Sequence, residues 1–400
     1  MQFELFQKYS TPESVLSFVL RLLHIVGLNE TGFWSRVRVG CIGLFYVTFL
    51  VIPPLTGGYT DVHQRVRAGV EFLFNCNIYG GCFVFAYNIA TFQTFIQELR
   101  TFSVVVCSHS YTLKQTLTRC NRRADFIAKV QTACMAAVTF FYWIAPIPSI
   151  YYSHHISESI NSTAPVRLVQ HLEVKFYWLD NRNCVKDYLI FTIIMLPVII
   201  MCGFVCNLKL LSICSCIEHC TLLTRLTTKA VEQMESGKLA ERNITIAISN
   251  VVEMHTRLLN CIRLLNTSLQ SMLLLQWLVC GLNWSISYLY LTNVGICLKS
   301  VTVVVMFFLI TAETFLYCFL GSRLATQQLL LERAIYAIRW YNYPTVLQRS
   351  VRMMLRQSQR HEHITVGKFF RVNLEEFSRI VNLSYSAYVV LKDEIKMDLN

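Results

Sequence analysis

Charge is what this 400-residue sequence has least of. Only 15% of its residues are Asp, Glu, Lys or Arg, against roughly 25% in a soluble globular domain. That shortage excludes a water-facing surface of ordinary extent. Glycine and proline are sparse too, at 15 and 8 residues, which excludes collagen-like, low-complexity and disordered classes. Acidic residues number 24 against 36 Lys and Arg, for a formal net charge of +12. No dense basic run or stripe accompanies that excess, so nucleic acid is not an expected partner. The opening residues, Met1-Gln2-Phe3-Glu4-Leu5, lack the basic start of a secretory signal, and insertion is expected to use an internal segment. Neither a phosphate loop nor a catalytic constellation is visible, so no enzyme is expected. Cys214-x-Cys216 with His219-Cys220 has no second ligand pair at matching spacing, and no metal or cofactor is expected.

What is abundant is apolar. Hydrophobic residues make up 54% of the chain, aromatics 13%, and mean hydropathy is +0.44. These values place the chain in a lipid bilayer. Most of the 16 cysteines lie inside apolar stretches, where cysteine behaves as a small hydrophobe. Cys184 and Cys297 fall in short segments expected outside the cell, where a disulfide between them is one alternative.

A spanning helix needs about 20 mostly apolar residues. Seven stretches meet or approach this: 39–56, 69–92, 130–151, 188–214, 268–291, 296–320 and a more polar one at 369–391. The fold class expected is all-α, a seven-transmembrane-helix protein. Ahead of the spans, Thr11-Pro12 opens a short amphipathic stretch over 12–28, expected to be an interfacial or re-entrant helix. Lys and Arg number four up to residue 38, six in 93–129, six in 215–267 and eight in 321–368, or 24 together, against nine in the alternate connections. By the positive-inside rule the N-terminus is cytoplasmic and the C-terminus extracellular. Asn161-Ser162-Thr163 then lies in an outer loop, with Asn161 a candidate for glycosylation. G-protein-coupled receptors carry the opposite orientation; no Asp-Arg-Tyr follows the third span and no Asn-Pro-x-x-Tyr lies in the seventh.

The seventh stretch differs from the others. Glu375, Arg379, Asn382, Ser386 and Asp393 fall within about 60° of arc at helical spacing. Such a stripe needs a polar or wet neighbour. One reading is a satisfied helix–helix interface; the other is one wall of a pore closed by several subunits. Among ionisable residues within spans, Glu71 and Lys299 near the outer ends are expected to snorkel, and Glu313 to face a partner or water.

The C-terminal quarter resembles the insect odorant receptor family. The resemblance rests on Tyr317-Cys318-Phe319 with Gly321, then Ala334, Tyr336, Trp340-Tyr341 and Pro344. It continues through Arg349, Gly367-Lys368-Phe369, Leu374-Glu375 with Phe377, and Ser384-Tyr385-Ser386 with Tyr388. It implies an odorant-gated, non-selective cation channel in the plasma membrane. Tuning subunits would assemble with a shared co-receptor into a heterotetramer, with the seventh helices lining the pore. Val390 then matches the gate position, and Lys392 and Asp393 lie near the outer mouth. The Thr-Tyr…Gln-Phe ending of the related gustatory receptors is missing. The co-receptor's large insertion has no counterpart in 215–267, so the chain resembles a tuning subunit. The implied division is residues 1–320 holding the odorant pocket, 321–368 as a cytoplasmic anchor, and 369–400 as the pore helix with a short tail. Trp340 and Tyr341 are candidate subunit anchors.

The resemblance places the pocket in the outer half of the bundle, where a neutral volatile wants an apolar, aromatic lining with one or two polar groups. The candidates are Phe74, Asn77, Ile78 and Gly81 on span two, and Thr139, Tyr142, Trp143 and Pro146 on span three. Phe191, Thr192 and Met195 on span four and Val305, Phe308 and Thr311 on span six complete the set. Tyr142 and Trp143 stand out for aromatic area with a polar tip. Small aromatic or heterocyclic volatiles are the ligand class expected.

Overall fold

The computed structural model describes residues 15–56, 59, 61–148, 168–236, 241–295, 297, 300–360 and 362–397. Asn161 and Lys299 lie outside the described residues. The described chain is almost wholly helical, as a bilayer requires of segments whose backbone polar groups must be satisfied internally. The helices are α1 (Ser17–Val26), α2 (Phe33–Tyr46), α3 (Ile52–Thr56), α4 (Val62–Tyr87), α5 (Ile89–His109) and α6 (Tyr111–Ile144). They continue with α7 (Val185–Ser236), α8 (Glu241–Val294), α9 (Val301–Ala337), α10 (Thr345–Ser358) and α11 (Leu374–Met397). Between α2 and α3 the ladder widens into a π turn over Val47–Val51. Pro53 and Pro54 follow at once; they lack N–H donors and crowd the preceding carbonyls, which favours such a turn.

Among the described residues six helical stretches are long and apolar enough to cross a bilayer; they enclose the expected spans 39–56, 188–214 and 268–291 and overlap 69–92, 130–151 and 296–320, whose helices end at Tyr87 and Ile144 and begin at Val301. The seventh is α11, 24 residues long and more polar. The connections at 93–129 and 215–267 are helical through most of their described residues. α7 and α8 run 52 and 54 residues, about 80 Å each, well beyond the ~30 Å hydrocarbon core. Apolar residues recur at helical spacing through both extensions, and Leu223, Leu226, Val231, Val251, Leu258 and Leu265 are buried there. α9 likewise runs unbroken through residue 320. α1 does not lie free along a bilayer surface. Val19, Leu20, Leu23 and Val26 bury into the bundle, and Ser17 Oγ donates to Asp125 Oδ2 at 2.7 Å.

Before α11 the chain forms a small hairpin, β1 (Thr365–Val366) antiparallel to β2 (Phe370–Arg371). Gly367 and Lys368 turn it with positive φ (54° and 71°), a conformation glycine adopts without strain. Asn266 Oδ1 accepts from Thr365 N at 2.8 Å and Gln270 O from Gly367 N at 3.1 Å, fastening the hairpin to α8. On its far side the hairpin's exit presses against α9: a Cβ on Gly321 would collide with the Val372 carbonyl. Gly321 is thus required by close backbone approach and Gly367 by its positive φ. Gly321→Ala is expected to destabilise the fold by about 1–3 kcal/mol. The loss should appear as a lower melting temperature of the purified protein and reduced surface labelling.

Candidate functional site

An apolar cavity of about 70 Å³ opens among four helices. α4 contributes Phe74, Asn75 and Ile78, and α6 contributes Met135, Val138, Thr139 and Tyr142. α7 supplies Val198, Ile199, Cys202, Gly203 and Cys206; α9 supplies Val305, Met306 and Leu309; Leu50 and Leu172 complete the lining. Its polar groups are few and already engaged. Asn75 Nδ2 donates to Glu71 O at 2.8 Å, and the Tyr142 hydroxyl donates to His171 O at 3.0 Å. Thr139 Oγ1 donates to Met135 O within its own helix at 2.8 Å. Such a lining favours an apolar or aromatic body over a charged one.

Beyond Cys206 and Leu309 the cavity ends on buried charge. Lys209 Nζ pairs with Glu313 Oε1 at 2.9 Å and donates to Gln276 Oε1 at 2.8 Å. The Tyr317 hydroxyl donates to Glu313 Oε1 at 2.6 Å, and Gln276 Nε2 donates to Thr314 Oγ1 at 3.0 Å. Lys209 also donates to Asn77 O at 3.4 Å. α4, α7, α8 and α9 therefore meet at one satisfied network, the arrangement a buried ion pair demands. Glu313 has the partner that its depth in the span required.

The opposite end is closed by segment 168–184. Arg67 pairs with Glu71 at 2.8 Å and Glu173 at 3.3 Å, and its third nitrogen donates to Gln170 O at 2.8 Å. Glu71 Oε2 accepts from Glu173 N at 2.7 Å. Glu71 therefore does not snorkel: it is 2% exposed, held inward because Arg67 on the next turn supplies its counter-charge. The Tyr188 hydroxyl donates to Val169 O at 2.9 Å. His171 Nε2 lies 2.7 Å from Trp143 O; a carbonyl only accepts, so Nε2 carries the proton. Burial holds the His171 imidazole below its ordinary value, opposed by that hydrogen bond. Its neutral form is therefore stabilising, and that stability is lost as pH falls through the ordinary imidazole value of about 6.5 toward the lowered one. Amide protection factors across 168–184 are expected to fall between about pH 7.5 and pH 5.5, and His171→Gln to flatten the response. Equal protection at both pH values in the parent would remove His171 as the cause.

The cavity brings together Phe74, Ile78, Thr139, Tyr142 and Val305 from the sequence candidates. The other nine stand elsewhere. Asn77 and Gly81 face Lys209, whose chain leaves no room for a Cβ at Gly81. Trp143 lines a separate cleft and donates from Nε1 to Thr192 O at 3.3 Å, and Thr192 Oγ1 donates to Tyr188 O. Phe191 is buried against Phe176, ring centroids 5.6 Å apart, and Met195 is buried in the core. Pro146 O faces the Tyr188 hydroxyl at 3.5 Å, Thr311 Oγ1 accepts from Trp284 Nε1 at 2.9 Å, and Phe308 is exposed. Ile199, Cys202, Cys206, Met306 and Leu309 were missed, although helical spacing from the candidates Met195 and Val305 points to Cys202, Cys206 and Leu309. Leu172 has no local signal, since only the returning segment places it.

On α11, Glu375, Arg379, Asn382, Ser386, Val390 and Asp393 are all exposed. Ile380, Ser384 and Tyr388 occupy the opposite, buried face, where Ser285 Oγ on α8 donates to Ser384 O at 3.0 Å. The polar stripe thus points away from the chain's own bundle, and Arg379 on it pairs with Glu376 at 2.9 Å. Trp340 packs at the edge of the core while Tyr341 projects outward, their rings 6.3 Å apart. No disulfide joins Cys184 to Cys297. Among the described residues no group of three or more His, Cys, Asp or Glu is arranged to hold a metal.

Fold and site together define a multi-pass helical membrane protein with an internal apolar cavity and an outward-facing polar seventh helix. The chain belongs to the 7tm odorant receptor family, whose model matches residues 77–385; this is a receptor family and not an enzyme family. Odorant receptor 63a of Drosophila melanogaster is 24% identical over 179 residues, 44% of this chain and 42% of that protein. Odorant receptor 2a of the same species is 30% identical over 88 residues, 22% of each chain. The odorant receptor coreceptor of Anopheles gambiae is 24% identical over 152 residues, 38% of this chain and 32% of that protein. The chain thus spans about a fifth to two fifths of the length of these relatives. The insect olfactory receptor OR5 from Machilis hrabei shares the fold with a TM-score of 0.70 at 14% identity, covering 94% of this chain and 97% of that one. The same receptor in complex with eugenol gives 0.68.

Proposed function

We propose that this chain is a tuning subunit that binds a small volatile, aromatic or heterocyclic, in the cavity between α4, α6, α7 and α9. Binding shifts a closed–open equilibrium of a non-selective cation channel, formed as a heterotetramer with the odorant receptor co-receptor in the plasma membrane. The observation that carries this reading is the cavity: apolar, walled by four helices, its polar groups already bonded. The outward polar stripe on α11 supports a pore wall, since such a face needs water or other subunits beside it. Val390 is the proposed gate, and Glu375, Arg379, Asn382, Ser386 and Asp393 the proposed pore lining. Trp340 and Tyr341 are proposed subunit contacts, and residues 321–368 part of the anchor. The excess of Lys and Arg in alternate connections supports a cytoplasmic N-terminus and extracellular C-terminus, with Asn161 a proposed glycosylation site outside. Whole-cell current in cells expressing this chain with and without the co-receptor, under G-protein block, tests the reading. A fast inward cation current evoked by volatiles and needing both chains is expected. A response abolished by the block would reject the channel in favour of a G-protein-coupled receptor.

A further inference from the structure

The walls of the cavity are unequal in strength. One end is closed by the Arg67–Glu71–Glu173 ion pairs, the other by Lys209–Glu313. Opening either separates buried charges, which is strongly unfavourable. The side wall between α6 and α7 has no such contacts. Two hydrogen bonds between these helices flank the cavity, Trp143 Nε1 to Thr192 O at 3.3 Å and Asn207 Nδ2 to Thr132 Oγ1 at 3.1 Å, and Gln233 Nε2 donates to Thr112 Oγ1 at 3.2 Å near the helices' other ends. Between those two ties no hydrogen bond crosses the seam among the described residues.

On the far side of that wall lies a second apolar cleft of about 310 Å³. Cavity and cleft share four lining residues: Met135, Thr139, Ile199 and Gly203. The outer cleft faces hydrocarbon, because only 6% of α6's apolar window is buried and Phe140 and Ile200, which line the cleft, are 56% and 55% exposed. The partition is one side chain thick at Gly203, where an added Cβ would collide with the Thr139 side chain.

We propose that the Thr139–Gly203 seam is a lateral portal by which small apolar molecules pass between the bilayer and the cavity. The portal rests on reading the cavity as the ligand site. An apolar volatile concentrates in hydrocarbon, where no water is displaced again on reaching the cavity. Its passage needs only rotamer changes in Met135, Thr139 and Ile199, methionine being the most adaptable of side chains. The Thr139 hydroxyl stays bonded to its own helix throughout.

The seam can be closed reversibly. A Cβ built at position 203 stands 3.1 Å from Thr139 Cβ, near the roughly 3.5–4.5 Å of a disulfide. Thr139→Cys with Gly203→Cys therefore staples α6 to α7, and Gly203→Val obstructs the seam without oxidation. The probe is hexafluorobenzene, followed by fluorine NMR exchange with the full chain assembled with the co-receptor in lipid nanodiscs. Exchange is expected to slow about tenfold in the oxidised staple and to recover when the same sample is reduced. Ile78→Trp fills the cavity and should abolish the bound signal. If it does so while oxidation leaves exchange unaltered, the portal is rejected and the cavity reading stands. A bound signal that survives Ile78→Trp, or no bound signal in the parent, removes the cavity reading and the portal with it.

Discussion

Replacing Lys209 with methionine is expected to leave little folded protein at the cell surface. The Lys209 and Glu313 side chains are 4% and 6% exposed and 2.9 Å apart. Removing one partner of such a pair strands an uncompensated charge and costs about 3–5 kcal/mol, a large share of the ~5–15 kcal/mol that holds a typical domain together. The damage should spread, because Gln276, Tyr317 and the Asn77 carbonyl all orient on this pair. Lys209→Met combined with Glu313→Gln removes both charges and keeps an acceptor for Tyr317, so most of the lost stability should return. Thermal melting of detergent-purified variants is the measurement. A single Lys209→Met variant melting within about 2 °C of the parent would show that the pair does not hold the bundle.

Tyr142→Ala is expected to raise the agonist concentration for half-maximal current about 10- to 100-fold, equivalent to roughly 1.4–2.8 kcal/mol. Tyr142 is at once cavity wall and tie to the closing segment: its ring lines the cavity and its hydroxyl donates to His171 O at 3.0 Å. Tyr142→Phe keeps the ring and loses one hydrogen bond worth about 1 kcal/mol, so its shift should be several-fold smaller. Trp143→Ala separates wall from neighbour, since Trp143 lines the lateral cleft instead. Equal shifts for Tyr142→Ala and Tyr142→Phe would assign the effect to the hydrogen bond and not to the aromatic surface.

The seven helices were legible because a bilayer imposes length and hydropathy on every span, and local pattern reports both. The stripe on α11 was legible for a similar reason: a 3.6-residue repeat is written along the chain. The extended stems of α7 and α8 were hidden by their mixed composition. Their buried Leu223, Leu258 and Leu265 face other helices and not lipid, so no window average marks them as membrane or as loop.

By itself, the sequence determined that the chain is a helical membrane protein, which segments cross, and that α11 differs from the rest. It also showed that Glu313 needed a partner. Only the tertiary structure decided that the partner is Lys209, 104 positions earlier, that segment 168–184 folds back over the cavity, and that Trp143 faces away from it while Cys206 and Leu309 face in. The physical reason is one of range. Hydropathy and periodicity are properties of a single helix and can be read along it. Pairing of buried charges, and the choice of which face of an all-apolar helix lines a cavity, depend on how neighbouring helices are rotated about their axes. When every face is apolar, sequence does not encode that rotation locally; packing against four other helices sets it.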